Sequence, residues 1–196
     1  MVSVAASVAI VAAPLTIPRD SVAGLHGRAN IIDFASLWST LPPAQAAVYY
    51  LGDIECHQIS DRTIYLNGNE MPVCSRDASL LLFFSVGLMI AAFVKPDFSV
   101  SRMLLRLFPA KFRGPLEKGN RPVYLTLLLA ILCVGPLAID GGMQLMTSYE
   151  SNNALRFLTG IPAGIFLGLI IGLMVQSLQF MPVRRRNAHV QVLPPN

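Results

Sequence analysis

Four apolar stretches, residues 2–17, 79–94, 123–139 and 157–180, alternate with polar connections along the 196-residue chain. A helix rises about 1.5 Å per residue, so crossing the apolar core of a bilayer takes roughly 20 mostly apolar residues, fewer where polar caps fill the ends. The pattern therefore predicts an all-α membrane protein with about four transmembrane helices in a single integral membrane domain. The last stretch has no charged residue in 24 positions. The first is short, contains Pro14 and resembles the apolar region of a signal peptide. No positive residue precedes it within residues 1–17, which favours an uncleaved span.

The connection at residues 18–78 is too long for a simple loop and predicts structure of its own. Residues 31–41 and 44–54 hold enough apolar and aromatic positions for two short helices at the membrane interface, divided by Pro42-Pro43. Trp38, Tyr49 and Tyr50 suit the headgroup level, because their rings are apolar and their tips polar. Within residues 63–73, Asn67-Gly68 lies between apolar runs and signals a small hairpin, since both residues accept positive φ. That hairpin folds Cys74 back toward Cys56, and Pro72 confines its second arm to an edge. Residues 99–111 form a basic amphipathic segment with Met103, Leu104, Leu107 and Phe108 on one side. It suits either an anionic lipid surface or a solvated connector.

Composition agrees with the membrane reading: 54% of residues are hydrophobic and 13% charged, too few charges for a wetted globular surface. The net charge of +4 does not point to nucleic acid, because the basic residues lie in two blocks beside apolar runs. Residues 95–122 contain seven Lys and Arg, and Arg184, Arg185 and Arg186 follow the fourth stretch. Positive residues resist export, so the loop at 95–122 and the tail at 181–196 are expected in the cytoplasm, with residues 18–78 outside. In the fourth stretch, Gly160, Gly164, Gly168 and Gly172 recur every four residues. This glycine-zipper spacing forms one helical stripe on which another helix can pack closely, within the chain or between copies. The expected partners are the lipid bilayer and, through that stripe, a homo-oligomer or larger membrane complex.

The candidate chemistry gathers on the predicted outer side: Cys56, His57 and Gln58 before the hairpin, Cys74, Arg76 and Asp77 after it, and Asp140, Gln144 and Glu150 beyond the third stretch. Thiol, imidazole and carboxylate are the ligands of a transition-metal site such as zinc, which makes Cys56, His57, Cys74, Asp77 and Asp140 the candidate set. Each also has a plainer role. Cys56 and Cys74 could close a disulfide on an oxidising face, or act as redox thiols. Asp77 could be the N-cap of the second span, and Asp140 with its two glycines the end of the third. Ser151-Asn152-Asn153 has the composition of a cap before the fourth. Arg76 and Arg156 lie at the level of the two aspartates, so a closed ion-pair network competes with a ligand site. Carboxylates at span ends are costly and usually have a partner or a function. A structural or assembly subunit, held by a disulfide and ion pairs, is the alternative function class. Neither a phosphate-binding glycine loop nor a CxxC motif is present.

Cys56-His57-Gln58, Arg62, Gly68, Pro72-Val73-Cys74 and Arg76, followed by Pro136, Asp140-Gly141, Gln144, Glu150, Arg156 and Thr159-Gly160, resemble the bacterial and archaeal membrane-protein family named domain of unknown function 2085. The resemblance covers about residues 48–172 and implies an integral protein of the cytoplasmic membrane with no established activity. Members of that family often continue Cys-x-Arg-Cys-x-Gly-x-Tyr, where this chain has Asp77, Ser79 and Leu81. A carboxylate thus stands where the pattern often has a thiol, and it can still serve as a hard ligand.

Overall fold

The computed structural model describes residues 2–28 and 31–191, with side chains described as far as residue 179. The Arg184, Arg185 and Arg186 side chains, expected to mark the cytoplasmic tail, lie outside the described residues. Eight helices and one hairpin follow in the order α1 (Val2–Thr16), α2 (Ala35–Trp38), α3 (Pro43–Glu55), β1 (Tyr65–Leu66), β2 (Asn69–Glu70), α4 (Ser75–Ala92), α5 (Val100–Leu105), α6 (Ala110–Leu116), α7 (Arg121–Met146) and α8 (Asn153–Gln191). A single 3-10 turn at Ser60–Arg62 precedes the hairpin.

Among the described residues, three helices, α4, α7 and α8, are long and apolar enough to cross a membrane. The apolar stretch at 2–17 is helical as anticipated, but α1 has only 15 residues, about 22 Å of rise. It rests against α4, where Ser7 Oγ donates to Leu81 O (3.0 Å) and lies 2.9 Å from Ser85 Oγ. The apolar stretch of α7 is only 6% buried, against 44% for that of α8. A helix apolar on all sides and bare of protein suits lipid contact.

α8 packs on α4 through the glycine stripe. A methyl group added at Gly164 would lie 2.7 Å from Leu80 O, and one at Gly172 would lie 2.5 Å from Ala91 Cβ. At Gly160 it would collide with Ser79 Oγ, and at Gly168 with Phe84 O. Gly87 answers from α4, facing the backbone of Ile165 and Leu169. Lipid tails are as apolar as leucine, so burial alone does not drive these helices together. Close backbone approach adds dispersion contacts that bulkier residues would forbid.

At one end of the bundle, Met103 and Leu104 of α5 are buried in a cluster with Ala91, Val94, Phe166, Leu169 and Leu173. The amphipathic segment predicted over 99–111 is divided between two short helices rather than forming one, and Met103 and Leu104 of its apolar face enter the protein's own core while Leu107 stays exposed. At the other end, residues 18–28 and 31–74 form a cap. Trp38 and Tyr49, expected at headgroup level, are fully buried instead. Their rings stack at 4.8 Å, Trp38 Nε1 donates to Asp53 Oδ2 (2.8 Å) and Tyr49 OH donates to Glu70 O (2.7 Å). Folding the aromatics inward gives their polar tips fixed partners in place of water.

The hairpin forms where Asn67-Gly68 predicted it, with β1 and β2 antiparallel, Leu66 opposite Asn69, and φ of 55° and 75° at the two turn residues. Asn69 ties the hairpin to the end of α1. Its Oδ1 accepts from the Ser21 and Val22 amides, and its Nδ2 donates to Pro14 O and Pro18 O at 3.0 Å each. The Pro14 carbonyl, orphaned in the last turn of α1, thereby gains a side-chain donor.

The glycine contacts make a direct prediction. Gly164→Ala and Gly168→Ala should each destabilise the protein by about 1–3 kcal/mol through overpacking, whereas Gly135→Ala, which meets nothing within 4 Å, should be neutral or slightly stabilising. Thermal unfolding in detergent measures the difference, and equal tolerance at all three positions would contradict the packing.

Candidate functional site

The two cysteines are brought together by a close approach between α3 and the segment that leaves the hairpin. Gly52, one turn before Cys56, presses on Pro72 so tightly that a methyl group there would collide with the Pro72 carbonyl. The same carbonyl accepts a hydrogen bond from Gln58 Nε2. Gln58 is 1% exposed and holds a positive φ of 47°, so the chain reverses sharply after Cys56. Two anchors on Pro72 therefore set where Cys56 stands relative to Cys74, two residues further on. The Cys74 amide completes the link by donating to Cys56 Sγ at 3.3 Å.

Cys74 occupies the N-cap of α4, so Asp77 is not the cap that its position suggested. It is the third residue of the first turn, and its Oδ2 accepts from the Cys74 thiol at 3.1 Å. A carboxylate there is favoured by the positive end of the helix dipole. One donor atom from each of Cys56, Cys74 and Asp77 lies within 4.8 Å of the others, and Cys56 and Cys74 are separate thiols rather than a disulfide.

The group opens into a cavity of about 370 Å³, also lined by Glu55, His57, Arg62, Arg76, Gln144 and Arg156. His57 borders this cavity but is not in the three-residue group. Asp140 is engaged elsewhere, pairing with Arg76 and accepting from Tyr149 OH at 3.2 Å. Arg76 also donates to Gln144 Oε1 (3.2 Å), and Arg62 pairs with Glu150 at 2.8 Å. Of the ion-pair network expected among Arg76, Arg156, Asp77 and Asp140, the structure forms Arg76–Asp140 alone, while Asp77 joins the donor cluster. Asp140-Gly141-Gly142 does not end the helix of the third apolar stretch, because α7 continues to Met146 and carries Asp140 and Gln144 on successive turns toward Arg76. Asn152 does cap α8, accepting from the Leu155 amide at 2.8 Å.

Tyr149 and Glu55 belong to this region but were not singled out from sequence. A lone tyrosine in a polar linker and a glutamate at a helix end carry no pattern that distinguishes them from solvated residues.

The thiols are not equivalent. Hydrogen bonding from Cys74 holds the Cys56 thiol below its usual range, helped by the Gln58 and Cys74 amides and opposed by burial and by Asp77. The Cys74 thiol is pushed far up, first by its hydrogen bond to Cys56, then by burial and the Asp77 charge. Cys74 has one proton and two acceptors beside it. Cys56 is therefore the thiol that ionises first.

The donor chemistry fits a thiophilic divalent ion. Zn–S bonds of about 2.3 Å and Zn–O bonds of about 2.1 Å place tetrahedral donors roughly 3.3–3.8 Å apart, so the Cys74–Asp77 separation of 3.1 Å would lengthen slightly while all three donors already lie within 4.8 Å of one another. The oxygen donor is hard and the two sulfur donors soft, a mixture zinc accepts.

In chelator-treated protein, a small neutral alkylating reagent should modify Cys56 at lower pH than Cys74. Cys74→Ala should move the Cys56 profile to higher pH by removing the thiol donor, and Asp77→Asn should move it lower by removing an opposing charge. Peptide mapping by mass spectrometry gives the order, and Cys74 reacting first would contradict the assignment.

Comparison with known proteins adds identity to this geometry. Residues 56–170 match the family described as "Predicted membrane protein (DUF2085)", a span that starts at Cys56 and contains Cys74, Asp77, Asp140 and Arg156. An uncharacterized protein of Methanothermobacter thermautotrophicus is 37% identical over 115 residues, 59% of this chain and 82% of that protein. An uncharacterized protein of Methanocaldococcus jannaschii is 31% identical over 130 residues, 66% of this chain and 67% of its own length. No solved structure matches the chain. With more than half of its residues matched, the chain belongs to the membrane-protein family of domain of unknown function 2085.

Proposed function

We propose that Cys56, Cys74 and Asp77 form a zinc-type metal centre at the outer surface of the cytoplasmic membrane. The observation that carries this reading is the convergence of two sulfurs and a carboxylate oxygen within 4.8 Å beside an open cavity. Three protein ligands with space for a fourth are the pattern of zinc sites that bind water or substrate, whereas purely structural sites are usually closed by four. His57, on the cavity wall and adjacent to Cys56 in sequence, is the nitrogen-donor candidate for the fourth position. Arg76 and Asp140 neutralise each other and leave Asp77 available to the metal.

A second reading is favoured by the unequal thiols. Cys56 thiolate attacks a disulfide of a partner molecule, forming a mixed disulfide and releasing one partner thiolate. Cys74 then gives its proton to the Asp77 carboxylate, attacks Cys56 and releases the second partner thiolate, leaving a Cys56–Cys74 disulfide. The partner disulfide is reduced and the cysteine pair oxidised.

Metal analysis with thiol counting separates the readings. The metal reading expects about one zinc per chain in detergent-purified protein, lost in Cys56→Ser and Asp77→Ala while the folded amount stays similar. Redox thiols would give no metal and a reversible disulfide. No metal, with a fixed disulfide whose removal only lowers the folded amount, would instead favour a structural or assembly subunit.

The topology proposed with it is four spans, with α1 crossing as the shortest, residues 18–78 outside and the basic loop at 95–122 inside. Cysteines introduced at Asn67 and Asn187 should then react with an impermeant reagent from opposite sides, above the background of the three native cysteines. Labelling of both from one side would defeat the arrangement.

A further inference from the structure

The cavity has three arginines on its walls, and they are not in the same state. Arg62 is matched by Glu150 and Arg76 by Asp140, but among the described residues no carboxylate oxygen lies within 4.0 Å of Arg156. Arg156 is nevertheless only 2% exposed. Its Nη1 reaches Asn153 Oδ1 at 3.3 Å, and its Nη2 is buried with no hydrogen-bond partner. The Nε–H of Arg76, on the same cavity, is likewise buried without a partner.

Guanidinium is always protonated in proteins. Burying it without a counter-charge is strongly unfavourable, and at a membrane span end the cost is not relieved by bulk water. Asn153 cannot serve as the counter-ion. It is neutral, and it is already shared, with its Oδ1 3.1 Å from Ser75 Oγ and its Nδ2 donating to Thr63 O. Asp77, the carboxylate of the donor cluster, is engaged by Cys74.

We propose that the cavity is an oxyanion-binding site, in which Arg156 and the unpartnered Nε–H of Arg76 hold a phosphate or carboxylate group beside the cysteine cluster. A planar fork of N–H donors matches such groups in both charge and shape. The two carboxylates that line the cavity, Glu55 and Asp77, also line a second, mostly apolar groove formed with Ile10, Leu51, Leu80 and Leu81. The anion therefore sits toward the arginines, and the neighbouring groove gives the apolar part of an amphiphile a place to lie. The shared chemistry is the oxyanion, whose source is either a soluble anion or an anionic lipid headgroup. The site does not require a metal.

The test is ligand-dependent stability of the full chain. Inorganic phosphate, titrated against chloride at matched ionic strength, should raise the unfolding temperature saturably if the oxyanion is soluble. If it belongs to a lipid, the rise should appear on moving from phosphatidylcholine nanodiscs to nanodiscs containing phosphatidylglycerol. In either arm Arg156→Gln should weaken the response by about tenfold or more, and Arg156→Lys should keep a weaker one, because it retains the charge and loses the fork. Cys56→Ser should keep the anion response, so that failure of the metal centre and failure of the anion site are told apart. No saturable response in either arm, or an undiminished one in Arg156→Gln, would overturn the proposal. Should Arg156→Gln not fold, Arg156→Lys decides: binding as tight as in the unsubstituted protein would overturn it.

Discussion

The contact between α4 and α8 is the constraint on which the polar end depends. A helix is stiff along its length, so once Gly164 and Gly168 seat against Leu80 and Phe84, the register of the two N-termini follows. Ser79 then lies on Gly160, one turn from Arg156 on α8 and from Arg76 on α4. A side chain on the stripe would not merely open a gap in the bundle. It would lift one N-terminus away from the other and separate the arginines from the cysteine cluster. Packing in the apolar region thereby sets the geometry of charges beyond it.

The cap contributes the remaining half of the site by a different means. Beside its apolar clusters, buried polar side chains make directed hydrogen bonds that tie its segments together. Glu70 accepts from Leu25 N, Ser60 Oγ and Tyr65 OH, Asp53 from Trp38 and the Phe34 amide, and Asn69 clamps the end of α1. Such networks are directional, and they specify one arrangement where apolar packing would allow several. Gln58 and Gly52 extend that specification to Pro72, and through it to the separation of Cys56 and Cys74.

Local signals with a single physical cause were legible in the sequence. Asn67-Gly68 predicts a turn because positive φ is required there, and a four-residue glycine period predicts one stripe because helical geometry leaves no other outcome. Signals that depend on what lies opposite were not. Asp140-Gly141-Gly142 reads as a helix end, yet glycine is tolerated in membrane helices and Arg76 provides a partner that rewards continuing the helix. Asp77 reads as an N-cap, but Cys74 takes that place because the hairpin delivers the chain there in extended conformation. Trp38 reads as an interfacial anchor until Tyr49 and Asp53 offer it a ring to stack on and an acceptor. Cys56, Cys74 and Asp77 were identifiable as residues, while their separation from Asp140 depended on a tertiary ion pair.

That ion pair decides what the cluster can do. Two aspartates stand at the same end of the bundle, and either could in principle neutralise Arg76, which lies beside Asp77 in sequence. Neighbouring positions on a helix point in different directions, so Arg76 turns toward α7 and Asp77 toward Cys74. Asp140, buried to 4% side-chain exposure, takes the arginine. Removing it would leave a largely buried guanidinium needing another anion, and Asp77 is the carboxylate nearest in sequence. The pairing thus keeps a carboxylate free for the thiols, and it leaves Arg156, one helix away, as the cavity arginine with no carboxylate oxygen within 4.0 Å among the described residues.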